Sequence, residues 1–358
     1  MEKLKVAVVG CGLIAKDRHI PGYMTMKKKV DLCAVCDKNE QLARETAKKY
    51  HISKAYSDVS EMLSKEKLDI VDICVPPQIH APIAIEAIEN GCHVIMEKPM
   101  ALKTSDCDQM IDAARKHGVK LCVIHNNIFD PPFLKAKKLV EDGAIGDFVG
   151  MRIFLSTHRS DMIDLKDHWY HKLPGGVMGE TGPHMAYMSL ALLKNVKNVD
   201  IYAKNFLGHP WAPFDEFRIE LDGEKGISSV ALSYSRNCWA ANVDIIGTEA
   251  ALHMDLQSML LIRYQLKELN YLPLARSSLS TIFQIIGGTA SNVYKVVMGM
   301  REIGGDVVIN RFVDSVLNDT QPPVTGEEGR EVVRVMEMVV KRYQEKYVDS
   351  LQISEKIK

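Results

Sequence analysis

The first 125 residues alternate short apolar runs with segments of helical periodicity. The apolar runs predicted as strands are Leu4–Val9, Val30–Cys36, Ile70–Val75, His93–Met96 and Leu121–Ile124. Apolar spacing or flanking turn residues predict helices between them, over Asn39–Tyr50, Asp58–Lys65, Ile83–Ile88 and Ser105–His117. Strands alternating with helices in this way predict βαβ units and a doubly wound parallel sheet.

After Pro131 the pattern changes. A helix predicted over Phe133–Glu141 is followed by short apolar runs with turn residues between them. These predicted strands are Met151–Leu155, Val199–Ala203, Phe217–Leu221, Ile227–Tyr234, Val243–Ile246 and Ala250–Met254. Successive short strands favour an α+β domain with a mainly antiparallel sheet. Three more helices are predicted, over Leu279–Met300, Asp306–Leu317 and Gly326–Glu345, and we place the domains at 1–125 and 126–358.

Composition restricts the class of protein. Hydrophobic residues make up 46% of the chain and charged residues 25%, which excludes a largely disordered chain. The 45 Lys and Arg balance the 46 Asp and Glu, so no charge excess favours nucleic acid or a membrane surface. Cysteines within predicted buried strands fit a reducing compartment. With no signal-peptide pattern and no apolar run of about 18 residues, we expect a cytoplasmic protein without a membrane span.

A glycine-rich turn follows the first predicted strand. In Gly10-Cys11-Gly12-Leu13-Ile14-Ala15 the first glycine permits a tight turn, the second lets the backbone approach a pyrophosphate, and Ala15 allows close helix packing. Asp37 ends the second strand, where an acid receives the ribose hydroxyls. The alternative is a purely structural glycine turn. The motif in its context predicts dinucleotide binding, with NAD favoured over NADP because Asp37 repels a 2′-phosphate.

Two further segments carry groups suited to catalysis. Glu97-Lys98-Pro99 comes at the carboxyl end of a predicted strand, where open parallel sheets bind their ligands. In the segment Pro174–His184, Glu180 and His184 are four residues apart and share a face if that turn is helical. A carboxylate beside an imidazole suits a general base. Taken singly, each has a simpler interpretation: a surface lysine in a turn, or a capping glutamate and a surface histidine.

Together these segments resemble the Gfo/Idh/MocA oxidoreductases, the glucose–fructose oxidoreductase and inositol dehydrogenase family. The resemblance covers nearly the whole chain and rests on VAVVGCGLIA, the EKP tripeptide, Phe129–Pro131, Gly143–Gly146 and the Gly-Gly…Glu-x-Gly-x-His segment. It implies an N-terminal Rossmann domain and a C-terminal domain with an open-faced, mainly antiparallel sheet. It also implies NAD-dependent hydride transfer at a hydroxyl carbon of a sugar, inositol or nucleotide-sugar. The family uses no metal, and we predict none.

The resemblance also implies roles for individual residues. Lys98 resembles the lysine that hydrogen-bonds the reacting hydroxyl, and His184 resembles the proton-transferring histidine. Glu180 stands where the family usually has Asp. The implied cofactor contacts are Gly10, Gly12, Leu13, Ile14, Asp37, Pro76, His80, Glu97 and Lys98. The implied substrate contacts are Lys98, Asn126, Trp169, Tyr170, Glu180 and His184, although the two aromatic rings fit an anchored loop equally well.

Two other functions remain open from the sequence: an NAD-dependent glycosidase of the same family, and a non-catalytic NAD-binding regulator. The presence of both Lys98 and His184 argues against the regulator. The second domain's sheet is expected to leave one apolar face uncovered, and such a face is rarely left exposed. A homodimer or homotetramer is therefore predicted. The Leu279–Met300 helix is interpreted as core or as a subunit interface.

Overall fold

The computed structural model describes residues 3–265, 267–300 and 302–348. The chain forms two compact units. The first combines the chain up to Asn126 with Ile303–Arg334, and the second holds Asn127–Glu302 and the chain from Val335 onward.

The first unit is built on a six-stranded sheet. Its strands are β1 (Leu4–Val9), β2 (Val30–Cys36), β3 (Lys54–Tyr56), β4 (Ile70–Ile73), β5 (His93–Met96) and β6 (Leu121–Val123). They lie in the order β3-β2-β1-β4-β5-β6, and every neighbouring pair is parallel. This order places the carboxyl ends of β1 and β4 side by side, and it confirms the predicted Rossmann-type sheet.

Helices connect these strands. A π-helical turn (Ala15–His19) leads into α1 (Ile20–Thr25), and α2 (Glu40–Tyr50), α3 (Val59–Lys65), α4 (His80–Glu89) and α5 (Thr104–His117) follow. The caps match the sequence. The Asn39 side chain accepts the Leu42 N–H at the start of α2, and Asp58 accepts the Glu61 N–H at the start of α3. Both bonds satisfy amides that a helix leaves unpaired at its first turn.

A late segment of the chain also belongs to the first unit. Helix α9 (Gly304–Leu317) packs on α1 and buries Val308, Ile309, Phe312 and Val313. The first turns of α10 (Gly326–Tyr343) pack there too, since a Cβ on Gly329 would lie 2.6 Å from the Val123 side chain. The sequence division at 125/126 assigned this segment to the second domain. The compact unit differs because the apolar faces of these helices are complementary to β5, β6 and α1, a relationship that local sequence does not show.

The second unit contains a seven-stranded sheet. Its elements are α6 (Pro131–Glu141), β7 (Phe148–Ser156), α7 (Val177–Leu193), β8 (Val196–Lys204), β9 (Glu216–Gly223), β10 (Ile227–Ser233), β11 (Ala240–Gly247), β12 (Ala251–Asp255), β13 (Leu260–Tyr264) and α8 (Tyr271–Val297). The order is β13-β12-β11-β7-β10-β9-β8. Only the β7–β10 pair is parallel, which confirms the mainly antiparallel sheet.

The two faces of this sheet differ in polarity. On β9, Phe217, Ile219 and Leu221 are buried on the face that α7 covers, while Arg218 and Glu220 are exposed on the other. That second face also carries an ion pair between Arg152 of β7 and Asp244 of β11, 3.2 Å apart. Tyr202 of β8 and Ile227 of β10 lie on the same face as Arg218 and Glu220, and each is more than half exposed. The uncovered face is therefore mixed in polarity, and the homo-oligomer expected from it stays a prediction.

Helix α8 is not part of a core. None of its described residues is buried, and many of its large apolar side chains are exposed. The interpretation of this helix as core is therefore wrong. In the described ranges, no helix combines the length and apolar character needed to cross a bilayer.

Candidate active site

Packing and backbone conformation within the protein require a glycine at position 10, in the turn after β1. Its φ is +99°, and a Cβ there would lie 2.4 Å from the carbonyl oxygen of Cys74. Both facts exclude a side chain at this position. The turn therefore lies directly against the chain leaving β4.

Gly12 has a different reason to be glycine. No atom lies within 4 Å of a Cβ built on it, so packing within the protein does not require the missing side chain. Leu13 and Ile14 beside it are exposed. Open space over a glycine at the end of β1 fits the close approach of a dinucleotide pyrophosphate to backbone amides.

Asp37 stands beside this turn at the end of β2. Its Oδ2 accepts the Cys11 N–H at 2.8 Å, and its Oδ1 accepts the Asn39 N–H at 2.9 Å. These two bonds fix the carboxylate and leave further acceptor sites on both oxygens. The structure thus brings together the glycine turn and the acid, as expected for a site that receives the two hydroxyls of a ribose.

The residue before Lys98 is held by a buried histidine. Lys98 follows β5, and its backbone N–H donates to Oε2 of Glu97 at 3.1 Å. The other oxygen of Glu97 lies 2.9 Å from Nε2 of His19, whose Nδ1 lies 2.7 Å from Oδ2 of Asp72. His19 therefore joins the π-helical turn to β4 and to the EKP segment.

The charges in this cluster stabilise one another. Burial alone lowers the pKa of His19, but the charge of Asp72 and its hydrogen bond raise it, and the net pKa lies well above its usual value. Burial raises the pKa of Glu97, but the hydrogen bond and charge of His19 more than offset this and lower it to about 2. These directions favour the protonated form of the ring, which lies between the carboxyl groups of Asp72 and Glu97.

His19, Asp72 and Cys74 are also close enough together to ligate a metal ion. Burial raises the pKa of the Cys74 thiol, which disfavours the thiolate that a metal needs. Both ring nitrogens of His19 already face carboxylates. The donor set therefore fits a buried ion-pair network better than a metal centre.

His80 ties two loops of the first unit together. It is fully buried, with Nε2 2.8 Å from the carbonyl oxygen of Val75 and Nδ1 3.0 Å from that of Pro99. Its ring thus connects the loop that carries Pro76 to the EKP segment, and the predicted contact of His80 with the cofactor stays a prediction.

Helix α7 carries the candidate base in the second unit. Glu180 and His184 both lie on α7, so the turn containing them is helical. Nδ1 of His184 lies 2.6 Å from the hydroxyl oxygen of Tyr187, which accepts the Asn127 N–H at 3.2 Å. Tyr187 is a partner of His184 that sequence reasoning missed, although its i, i+3 spacing from His184 was a signal. Oε2 of Glu180 accepts a hydrogen bond from the Thr181 hydroxyl at 3.2 Å.

The aromatic segment before α7 is partly structural. Tyr170 is buried, and its hydroxyl donates to the Met162 carbonyl at 2.6 Å. This favours loop anchoring over the expected substrate contact. Its neighbours have unused polar atoms: Nδ1 of His168 and Nε2 of His171 are buried without a hydrogen-bond partner among the described residues. Burial lowers the pKa of both rings. Trp169 is half-buried, and Asn126 lies in the first unit.

Comparison with known proteins agrees with this arrangement. Residues 4–125 match the model of an oxidoreductase family with an NAD-binding Rossmann fold, and residues 133–253 match the Gfo/Idh/MocA C-terminal domain. Over 157 residues the chain is 32% identical to D-glucoside 3-dehydrogenase of Escherichia coli, which covers 44% of this chain and 43% of that protein. Over 207 residues it is 31% identical to levoglucosan dehydrogenase of Pseudarthrobacter phenanthrenivorans, covering 54% and 52%.

The aligned part thus spans about half the length of these relatives. A solved structure extends the likeness in fold: the WlbA dehydrogenase of Bordetella pertussis, in complex with NADH and UDP-GlcNAcA, superposes with a TM-score of 0.76 at 18% identity, covering 95% of this chain and 96% of that one. The two family models together cover most of the chain, and each falls on the unit whose sheet and site residues suit it. The chain belongs to the Gfo/Idh/MocA family of oxidoreductases.

Proposed function

We propose that this protein is an NAD-dependent dehydrogenase that moves a hydride between the nicotinamide and a hydroxyl-bearing carbon of a sugar, inositol or nucleotide-sugar. The observation that carries the proposal is the open space over Gly12 beside the fixed carboxylate of Asp37. This pair suits a dinucleotide with free ribose hydroxyls and disfavours one with a 2′-phosphate.

The bound nicotinamide supplies the hydride acceptor; the protein must handle the hydroxyl proton. His184 is the proposed base. The hydroxyl oxygen of Tyr187 accepts the Asn127 N–H and can accept a second hydrogen bond from Nδ1–H of His184. With the ring proton held on Nδ1 in this way, the other nitrogen, Nε2, is the atom that takes the proton of the substrate hydroxyl.

Lys98 is the proposed electrophilic partner. Its ammonium stabilises the alkoxide character that develops on the substrate oxygen as the hydride leaves carbon. The Glu97 carboxylate fixes the backbone from which this side chain extends. A displacement of about 1 Å at such a group is enough to lower a rate substantially, which makes the His19–Glu97 bond part of the arrangement.

The carbohydrate class is supported by the segment before α7. Nδ1 of His168 and Nε2 of His171 have no hydrogen-bond partner among the residues that the structure describes, and an imidazole nitrogen can bond to a hydroxyl group. The relatives that share sequence with this chain act, by their names, on a D-glucoside and on levoglucosan. We therefore propose that the part of the substrate that reacts is a hydroxyl-rich ring.

The experiment is a panel of free sugars, glucosides, inositols and UDP-sugars, each incubated with the full chain and NAD while NADH is followed by absorbance. Accumulation of NADH in proportion to substrate supports the dehydrogenase. Release of the aglycone from a glucoside without net NADH would favour the glycosidase, and NAD binding with neither reaction across the panel would favour the regulator.

Variants at the proposed catalytic groups complete this test. Lys98→Ala and His184→Ala should each lower kcat about 10²–10⁴-fold while NAD affinity stays within about twofold. Because both groups act on one oxygen, the double variant should lose less than the product of the two effects. Exposed Lys103 and His117 provide matched controls as Lys103→Ala and His117→Ala. Near-normal turnover of either active-site variant would contradict the assignment.

We further propose a homodimer or homotetramer in a reducing cytoplasm. All eight cysteines are free, which fits that compartment. The main support for association comes from α8, because the uncovered face of the sheet is mixed in polarity.

A further inference from the structure

Helix α8 faces the rest of its unit with its polar side. Residues of intermediate exposure recur along one strip, and this strip consists of Pro273, Ser277, Thr281, Gln284, Gly288 and Asn292. Gln284 accepts the Arg263 N–H at 2.9 Å and donates to the Arg263 carbonyl at 3.1 Å. Asn292 donates to the carbonyls of Ser258 and Met259 at 2.8 and 3.0 Å.

These bonds satisfy backbone groups of β13 and of the turn before it. Strand β13 is the edge of the seven-stranded sheet, and an edge strand presents unpaired amides and carbonyls. The small residue at Gly288 permits close contact, because a Cβ there would lie 2.7 Å from the Leu260 side chain. The polar side of α8 therefore covers a polar edge, and its apolar side is turned away from the unit.

The apolar side has a strict seven-residue repeat. Leu272, Leu279, Ile286 and Val293 are spaced by seven, and each is more than half exposed. The positions three residues later are Ala275, Ile282, Thr289 and Val296. Seven of these eight positions are apolar, with Thr289 as the exception, and apolar residues at these two positions over four heptads are the pattern of a coiled-coil seam.

The size of this surface is that of an interface. The exposed seam and its flanks, which include Phe283 and Val297, leave on the order of 800 Å² of apolar surface, the area that one partner gives to a standard protein interface. Monomeric proteins rarely expose contiguous apolar patches above a few hundred Å². A membrane surface imposes no seven-residue period, whereas a second helix does.

We propose that α8 is a self-association helix, whose apolar seam packs against α8 of a second copy of this chain in antiparallel orientation. A seam of one sequence is complementary to itself about a two-fold axis. Side-chain size selects the orientation. Paired antiparallel about the middle of α8, the small Ala275 meets Val293 and Thr289 meets Leu279, whereas a parallel pair sets Ala275 against Ala275 and Thr289 against Thr289.

The antiparallel register centres on Gln284, the middle of α8. Ile282 of one copy then meets Ile286 of the other, and Leu272 meets Val296. These four positions are all exposed in the single chain. Lysine substitution at the centre therefore breaks the seam without removing a buried side chain from the chain's own fold.

The test is the mass of the full chain in solution at micromolar concentration, by light scattering and sedimentation velocity. The wild-type chain is expected to have at least twice the mass of one chain, and the double variant Ile282→Lys/Ile286→Lys half the wild-type mass. Ser291→Lys, at an exposed position on another side of the same helix, is the matched control and should keep the wild-type mass. Far-UV circular dichroism checks that every variant remains folded.

A second variant tests the register. Ile282→Cys/Ile286→Cys should form an intermolecular disulfide under mild oxidation at least tenfold faster than Ile286→Cys alone. Equal rates would indicate a parallel pair and overturn the antiparallel assignment. A wild-type chain of monomeric mass, or an Ile282→Lys/Ile286→Lys variant of unchanged mass, overturns the proposal. If the wild-type chain is a monomer and co-sediments with phosphatidylcholine–phosphatidylglycerol vesicles, the proposal is overturned in favour of a lipid surface.

Discussion

Nε2 of His19 lies 2.9 Å from Oε1 of Glu97, the residue immediately before Lys98. His19 comes from the turn that follows the glycine motif, and Glu97 from the end of β5. One buried imidazole ring thus connects the turn proposed to bind the cofactor with the segment proposed to stabilise the alkoxide.

Replacing His19 by glutamine should destabilise the protein by about 3–5 kcal/mol, because it leaves Asp72 and Glu97 as buried carboxylates without their cation. Thermal and urea unfolding measure this effect. His117→Gln, at an exposed position at the end of α5, is the control. A loss below about 1 kcal/mol would show that the cluster is not charged as described.

The same pair predicts a pH dependence. The folded pKa of His19 lies above its unfolded value of about 6.5, so its contribution is complete below that pH and is lost as the pH rises through the folded pKa. The Glu97 pKa of about 2 lies below its unfolded value, so its contribution is lost as the pH falls towards 2. The difference in stability between the wild type and His19→Gln should be largest between about pH 4.3 and 6.5. The midpoints of urea unfolding measured at several pH values test this.

The two glycines of the turn should respond differently to alanine. Gly10→Ala meets the Cys74 carbonyl and a positive φ, and should cost more than about 2 kcal/mol of stability. The Cβ of Gly12→Ala meets no protein atom, so its free energy of unfolding should stay within about 0.5 kcal/mol of the wild-type value. It should nevertheless bind NAD at least tenfold more weakly. Unfolding curves and NADH fluorescence titration separate the two. Unchanged NAD affinity in Gly12→Ala would place the pyrophosphate elsewhere.

Asp37→Asn should weaken the binding of NAD and reduce the preference for NAD over NADP. Charge-assisted hydrogen bonds are worth about 1.5–3 kcal/mol, which corresponds to roughly 10–150-fold in the dissociation constant. Asn keeps one acceptor for the backbone amides of Cys11 or Asn39, so the turn should survive. Asp58→Asn, which alters a helix cap elsewhere in the same unit, is the control. Tighter binding of NADP than NAD by the wild type would refute the assignment of Asp37.

Tyr187→Phe tests which group orients His184. Loss of the 2.6 Å contact with Nδ1 should lower kcat about tenfold, the value of a hydrogen bond of about 1.4 kcal/mol. KM should stay nearly unchanged, and the acidic limb of the pH–rate profile, which a general base controls, should be displaced. Glu180→Gln should have a smaller effect. Tyr234→Phe, which removes another buried hydroxyl of this unit, controls for packing. The reverse order of effects would return the orienting role to Glu180.

Local sequence predicted the parts of the fold that depend on local pattern. The strands of the parallel sheet are short β-branched runs, and burial of both faces makes them recognisable. Strand β3 was missed because Lys54–Tyr56 has three residues and no apolar run. Strand β13 was missed although it is apolar, since nothing in the Leu260–Tyr264 segment indicates that it pairs with β12.

The site was predicted where a motif carries it and missed where distant residues meet. His19 interacts with groups 53 and 78 residues away, and no spacing rule connects them. Tyr187 lies within one helical turn of His184, but a tyrosine in an apolar helix is more often core. For α8 the amphipathic pattern was recognised, but the helix turns its polar side inward because an edge strand there needs hydrogen bonds.

The return of α9 to the first unit affects how this chain folds during synthesis. When Asn126 has been translated, all six strands of the parallel sheet exist, but α9 and the Arg330 that pairs with Asp108 come only after the whole second sheet. Domains usually fold in the order in which they leave the ribosome. Here the unit translated first completes its core last. The apolar surface that α9 covers therefore stays exposed while the second unit is synthesised. During that interval the chain offers a chaperone its largest apolar binding surface.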